Sequence, residues 1–199
     1  MKLLIIRHGE SEADILKVHE GRADFSLTEK GRRQAQKMSE WVSSNFQIDK
    51  IYCSPMARTR QTAVFLKEKT GLEPHFEDDL MEFNNGLLKG LPFDVALVKY
   101  PPVQNLPIDQ SVYEMESLKE FRARAEGILN RIISENDPRS TVAVITHGGM
   151  IVQLYHCFLG LPIGFHPVFT TGDTGIHCWK IEGNTRRIEF SNRETHLKK

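Results

Sequence analysis

The sequence predicts an α/β fold built on a mostly parallel sheet, and three observations predict it. Leu3-Leu4-Ile5-Ile6 near the start and Thr141-Val142-Ala143-Val144-Ile145-Thr146 near the end are apolar, β-branched runs, the mark of strands buried on both faces. Each run stops abruptly at polar residues, Arg7-His8-Gly9 in one case and His147-Gly148-Gly149 in the other. Amphipathic helical stretches lie between them. Strands of a parallel sheet deliver their carboxyl ends to one crevice, where ligands bind. His8 and His147 are therefore expected on the same sheet edge, with Gly9 letting the chain pass close to a ligand.

Taken in order, the opening strand is followed by a polar stretch, Glu10 to Asp24, without clean periodicity and read as loop with at most a short helix. Thr28 is a cap and Glu29 suits a first helical turn. Ala35, Met38, Val42 and Phe46 then recur at helical spacing, so this helix packs one side on the sheet. Ile48 to Cys53 reads as a second strand. Ser54-Pro55 reads as an N-cap followed by proline at the first helical position, opening a helix that runs to about Thr70 and stops at Gly71. His75 to Glu77 reads as a short strand and Phe93 to Tyr100 as a short helix. The stretch 83–115 holds Pro92, Pro101, Pro102 and Pro107 and is read as an insertion covering the site. Ser117-Leu118-Lys119-Glu120 is a capping box, and Leu118, Phe121, Ala125, Ile128 and Ile132 form the buried stripe of the helix behind it. After the late strand, Met150 to Leu159 reads as a largely buried helix. Two terminal strands, Ile176 to Ile181 and Arg187 to Phe190, flank a Gly183-Asn184 turn.

The chain has 199 residues, 40% of them apolar and 26% charged, which fits one domain spanning 1–199. Lys+Arg and Asp+Glu both number 26, so the basic excess typical of nucleic-acid binders is missing. The three cysteines, Cys53, Cys157 and Cys178, are scattered and suit neither a disulfide framework nor zinc. No apolar run reaches membrane-spanning length and no leader is evident. Reduced thiols in the cytoplasm, with neither a nucleic-acid nor a membrane partner, are the expectation. Oligomeric state is not readable.

One local rule is broken. Arg58 and Arg60 lie near the positive N-terminal end of a helix, where cations are disfavoured, and such breaks cluster at functional sites. Residues two apart on a helix point different ways, so both need not serve; Arg58 is taken for the site and Arg60 for the surface. Arg7, His8, Arg58 and His147 then converge on one edge. Histidine with arginines suits an oxyanion better than a metal, and no His-x-x-x-His pair is present. Arg7 and Arg58 match the oxygens of a phosphoryl group through planar forks and hold His8 neutral and nucleophilic. The amides of Gly148-Gly149 at a helix start add donors. His19, His75, His156, His166, His177 and His196 are read as structural or surface residues.

These residues carry a resemblance to the histidine phosphatase superfamily, the phosphoglycerate-mutase-like proteins. Arg7-His8-Gly9-Glu10-Ser11 resembles its Arg-His-Gly signature. Gly21-Arg22-Ala23-Asp24 with Leu27 to Gly31 resembles its first loop and helix start. Ser54-Pro55-Met56-Ala57-Arg58 with Gln61-Thr62-Ala63, then Leu80-Met81-Glu82, Glu116-Ser117 and Thr146-His147-Gly148 resemble its later motifs, in order. The resemblance implies a three-layer αβα sandwich with helices on both faces of the sheet. It also implies a metal-independent phosphomonoesterase, with no cofactor, acting on a small phosphorylated metabolite. His8 would be phosphorylated; Arg7, Arg58 and His147 would form the phosphate pocket; Glu82 would be general acid and base. Ser11, Arg22 and Gly148 would contact phosphate or substrate.

Three positions depart from the family pattern: Asp14 replaces a frequent Asn, Leu88-Lys89-Gly90 a Trp-Glu-Gly, and Met115 the Gly before Glu-Ser. They lie toward the leaving-group side. A phosphoglycerate-type mutase is the alternative, although such mutases carry longer insertions, and a phospho-ligand binding or regulatory protein is a third reading.

Overall fold

The structure is a computed structural model that describes residues 1–165 and 167–198, so His166 lies outside the described residues. Six strands form one sheet in the order β3-β2-β4-β1-β5-β6. They are β1 (Lys2–Arg7), β2 (Lys50–Cys53), β3 (Pro74–Phe76), β4 (Thr141–Thr146), β5 (Ile176–Glu182) and β6 (Thr185–Arg193). The first four run parallel, and the terminal pair β5-β6 adds an antiparallel hairpin edge.

Strand periodicity builds the layers. On β1, Leu3 and Ile5 face a core shared with α5 (Leu118–Glu135) and α6 (Gly148–Leu159). Leu4 and Ile6 face a second core shared with α2 (Glu29–Asn45) and α3 (Ala57–Thr70). Side chains alternate across a strand, and a helical pair on each face covers the apolar run that made β1 legible. The same alternation runs through β4, with Val142 and Val144 on the α5/α6 side and Ala143 and Ile145 on the α2/α3 side. The sandwich implied by the family resemblance is thus the observed fold.

Several boundaries differ from the sequence reading. A short helix α1 (Glu12–Leu16) follows β1, capped by Ser11 and Asp14, whose carboxylate accepts from the Ser11 amide at 2.9 Å. Helix α3 begins at Ala57 with Met56 as its N-cap, not at Ser54-Pro55. The Ser54 hydroxyl is drawn away to His147, and its carbonyl accepts the Thr59 hydroxyl. Helix α6 starts at Gly148, two residues earlier than apolar periodicity implied, because glycines carry no such periodicity. The segment beyond Phe83 holds α4 (Phe93–Lys99) between stretches of turn. A Cβ at Gly9 would lie 2.5 Å from the carbonyl oxygen of Gly31, so the start of α2 needs this glycine. No described helix is long and apolar enough to cross a membrane.

Candidate active site

The carboxyl ends of β1 and β4 are neighbours, with Arg7 paired to Thr146 and the His8 amide donating to the Thr146 carbonyl at 3.0 Å. Extending the strand alternation by one residue puts His8 and His147 on the α3 side and Arg7 and Thr146 on the α6 side. That parity decides what each one meets.

On the α3 side, the two imidazoles meet at their edges with ring centroids 5.2 Å apart. Both are buried, as is Arg58. The Arg58 Nε–H points between them, 3.3 Å from His8 Nε2 and 3.1 Å from His147 Nδ1. Its other nitrogens donate to the carbonyls of Ala23 at 2.9 Å and Gly21 at 2.8 Å. These partners fix both tautomers. His8 Nδ1 lies 2.7 Å from the Gly9 carbonyl oxygen, which only accepts, so Nδ1 carries the proton and Nε2 presents its lone pair. His147 accepts at Nδ1 and donates from Nε2 to the Ser54 hydroxyl at 2.8 Å. Burial, then the Arg58 and Arg7 charges, hold the His8 pKa well below 6.5, and burial and Arg58 do the same for His147. His8 is therefore a neutral, oriented nitrogen base facing cations.

On the α6 side, Arg7 donates from Nη1 to the Thr171 carbonyl at 2.9 Å. Asp173 and Asp14 lie 3.6 Å and 3.9 Å from its Nη2. Its Nε is buried without a partner and lies beside Gly148. Asp14 thus does two local jobs, capping α1 and neutralising Arg7, and the Ser11 hydroxyl bonds to it at 3.1 Å.

Glu82 sits over the start of α6. Its Oε2 accepts from the Gly149 amide at 2.9 Å and its Oε1 from the Phe83 amide at 2.8 Å. A Cβ at 149 would lie 2.5 Å from Oε1, so the second glycine of His147-Gly148-Gly149 is what lets the carboxylate dock. The Thr146 hydroxyl donates to the Leu80 carbonyl at 2.7 Å and ties this loop to β4. Arg22 donates to the Glu82 carbonyl at 3.3 Å.

The structure thus brings His8, His147 and Arg58 into contact, sets Arg7 alongside near Gly148, and hangs Glu82 and Arg22 over the same helix start. Ser11 faces its capping partner instead.

Sequence reasoning missed Ser54, Glu20 and Arg124. Arg124, on α5, donates to the carbonyls of Asp79 (3.0 Å), Met81 (2.6 Å) and Glu82 (2.9 Å), and forks onto Glu116 at 2.9 and 2.7 Å. Its only sequence signal was a cation three residues from Phe121 on an otherwise ordinary amphipathic helix. Arg124→Ala is expected to lower kcat/KM on an alkyl phosphate about 100-fold, because a displacement of about 1 Å at the acid loop costs that much. Steady-state kinetics check this, and an unchanged rate would show that the loop holds its place without Arg124.

With this geometry in hand, comparison with known proteins gives the family. The sequence profile of the histidine phosphatase superfamily, branch 1, matches residues 3–194. The chain belongs to this superfamily. Phosphoserine phosphatase 1 of Hydrogenobacter thermophilus is 29% identical over 167 residues, covering 82% of this chain and 78% of that protein. Phosphoglycerate mutase-like protein 4 of Arabidopsis thaliana is 28% identical over 160 residues, covering 77% of this chain and 69% of that protein. Among solved structures, a mycobacterial glucosyl-3-phosphoglycerate phosphatase superposes with a TM-score of 0.85 at 25% identity, covering 96% of this chain and 98% of that one. Within the superfamily, both kinds of phosphoryl chemistry considered from the sequence, hydrolysis and isomerisation, are represented among the names of similar proteins.

Proposed function

We propose that this chain hydrolyses small phosphate monoesters through a phosphohistidine on His8, with Glu82 as general acid and base. The observation that carries this reading is the His8 tautomer. Its Nδ1 proton is committed to the Gly9 carbonyl, which leaves the Nε2 lone pair facing the Arg58 side of the pocket.

In the proposed sequence the ester's phosphoryl group seats between Arg7 and Arg58, whose charges take up the developing negative charge on its oxygens. The Gly148 amide donates to the same oxygens, His147 accepts from Arg58 at Nδ1 and so helps set that guanidinium in place, and Arg22 lines the approach. His8 Nε2 attacks phosphorus in line. The bond to the alcohol oxygen breaks and that oxygen takes the Glu82 proton. Glu82, now ionised, removes a proton from water, which attacks phosphorus and breaks the P–N bond. Phosphate leaves and His8 returns to its neutral tautomer. The 83–115 segment would cover this site within a single domain. Three free, buried cysteines accord with a reducing compartment such as the cytoplasm.

The test is to quench the protein during turnover of an aryl phosphate and map the phosphoryl group by peptide mass spectrometry. It is expected on His8; turnover with no phosphohistidine would sink the mechanism. Glu82→Gln is expected to lower kcat about 10²–10⁴-fold with an alkyl phosphate. The loss should be much smaller with a nitrophenyl ester, whose leaving oxygen needs no proton. Equal losses on both esters would remove Glu82 from the acid role. Likeness to a mutase-like protein favours a second reading, transfer of the phosphoryl group to another hydroxyl. Isomerisation of a phosphoglycerate faster than phosphate release would replace the hydrolase assignment.

A further inference from the structure

A carboxylate stands where an incoming phosphoryl group must go. Glu20 lies in the loop after α1, and its Oε2 is 3.3 Å from Arg58 Nε and 3.8 Å from His8 Nε2. A reacting phosphorus must come within roughly 3–3.5 Å of the nucleophilic nitrogen, so a phosphoryl oxygen and Oε2 compete for nearly the same place. The other oxygen, Oε1, is buried and has no hydrogen-bond partner. A buried acceptor left unpaired is costly, and a proton on the carboxyl relieves that cost.

The surrounding charges sharpen the conflict. From the end of β1 come Arg7 and, just after it, His8, from α3 Arg58, from just after β4 His147, and from the α1 region Asp14 and the Ser11 hydroxyl. Arg7 is already matched by Asp14 and Asp173, and Arg58 by Glu20. A dianion entering this set would add two charges to a pocket whose cations are already neutralised.

We propose that Glu20 makes anion binding proton-coupled: the phosphoryl group is bound together with one proton held on Glu20, which then donates from its carboxyl to a non-bridging oxygen. The protonated carboxyl thereby gives the bound anion a donor in place of a competing charge, and Arg58 is released to the phosphoryl group. Burial already raises the Glu20 pKa, ahead of the opposing pull of Arg58, and a bound anion raises it further. The proton is therefore taken up between the free and the bound pKa, and affinity falls as pH rises through that window. The inference rests on the phosphate-pocket reading above.

Sulfate is the probe, because it is tetrahedral and keeps its double charge across the accessible pH range, so any proton taken up belongs to the protein. Calorimetry in buffers of different ionisation enthalpy counts that proton. Wild type is expected to take up about one more proton per sulfate than Glu20→Gln. Glu20→Gln is expected to bind sulfate at least about tenfold more tightly on the alkaline side, a one-unit pKa difference being tenfold, with the two curves converging at acid pH. His8 and His147 titrate in both proteins, so the difference isolates Glu20. If Glu20→Gln does not fold, Glu20→Met provides the same comparison. Infrared difference spectra of wild type provide an independent readout, a protonated-carboxyl C=O band that appears on sulfate binding. Identical proton counts and parallel pH profiles would overturn the role of Glu20 alone. Failure of both proteins to bind sulfate and inorganic phosphate at any pH would overturn it together with the phosphate-pocket reading.

Discussion

His8→Ala is expected to lower turnover of an aryl phosphate by at least about 10³-fold, to the level left by the arginines and the bound geometry alone. The reason is specific to this site. Among the described residues near the pocket, His8 Nε2 is held only by the longer bond from Arg58 at 3.3 Å, whereas His147 has Nδ1 turned to Arg58 at 3.1 Å and Nε2 to Ser54 at 2.8 Å. His147 would have to break both bonds to substitute. Phosphoprotein should vanish from quenched samples at the same time. Stopped assays with the variant purified free of wild-type background measure the residual rate. A variant within tenfold of wild type would end the phosphohistidine mechanism whatever the family suggests.

Arg58→Ala is expected to be costly in two currencies. The side chain is fully buried, and removing it strands the Glu20 carboxylate, two imidazole acceptors and the carbonyls of Gly21 and Ala23. Breaking one half of a buried ion pair costs about 3–5 kcal/mol, which for a chain of this size lowers Tm by roughly 6–20 °C. Activity should fall by about 10²–10³-fold or more, as for loss of a transition-state donor. The two effects separate in the double variant. Adding Glu20→Gln removes the stranded charge, so Arg58→Ala with Glu20→Gln should recover part of the stability and none of the activity. Thermal melts and kinetics on the same samples decide it. A double variant no more stable than Arg58→Ala alone would mean that the Glu20 charge is not what Arg58 stabilises.

What could be read from the sequence follows from range. Strand interiors are local: four apolar residues before Arg7, and four between the threonines that lead to His147, carry their own signal. Their paired endings implied a common edge before any coordinates did. Arg58 was legible because it violates a local electrostatic preference at a helix start. Glu20, Ser54 and Arg124 violate nothing locally. Glu20 is one acid in a polar loop, Ser54 reads as an ordinary cap, and Arg124 as an ordinary surface cation. Each acquires its meaning from a partner 38 to 93 residues away. Helix boundaries failed for a related reason. Ser54 had two competing uses, and the long-range bond to His147 prevailed over the local cap. Asp14, which departs from the family pattern, is explained by a bond three residues long that no periodicity reports.

The way Arg124 grips the acid loop has a consequence for how such a protein diversifies. It reaches that loop through three main-chain carbonyls, of Asp79, Met81 and Glu82, and these are present whatever side chains the loop carries. Asn84 is likewise engaged through its amide, by Glu116. The loop is clamped by its spine at Met81, whose side chain stays exchangeable, whereas Phe83 packs on Phe121 and Asn84 Oδ1 accepts the Gly86 amide. Substitutions at Met81 can therefore accumulate under selection for new leaving groups without resetting the position of the neighbouring carboxylate. A library at that position is a compact route to altered substrate range on an unaltered catalytic frame.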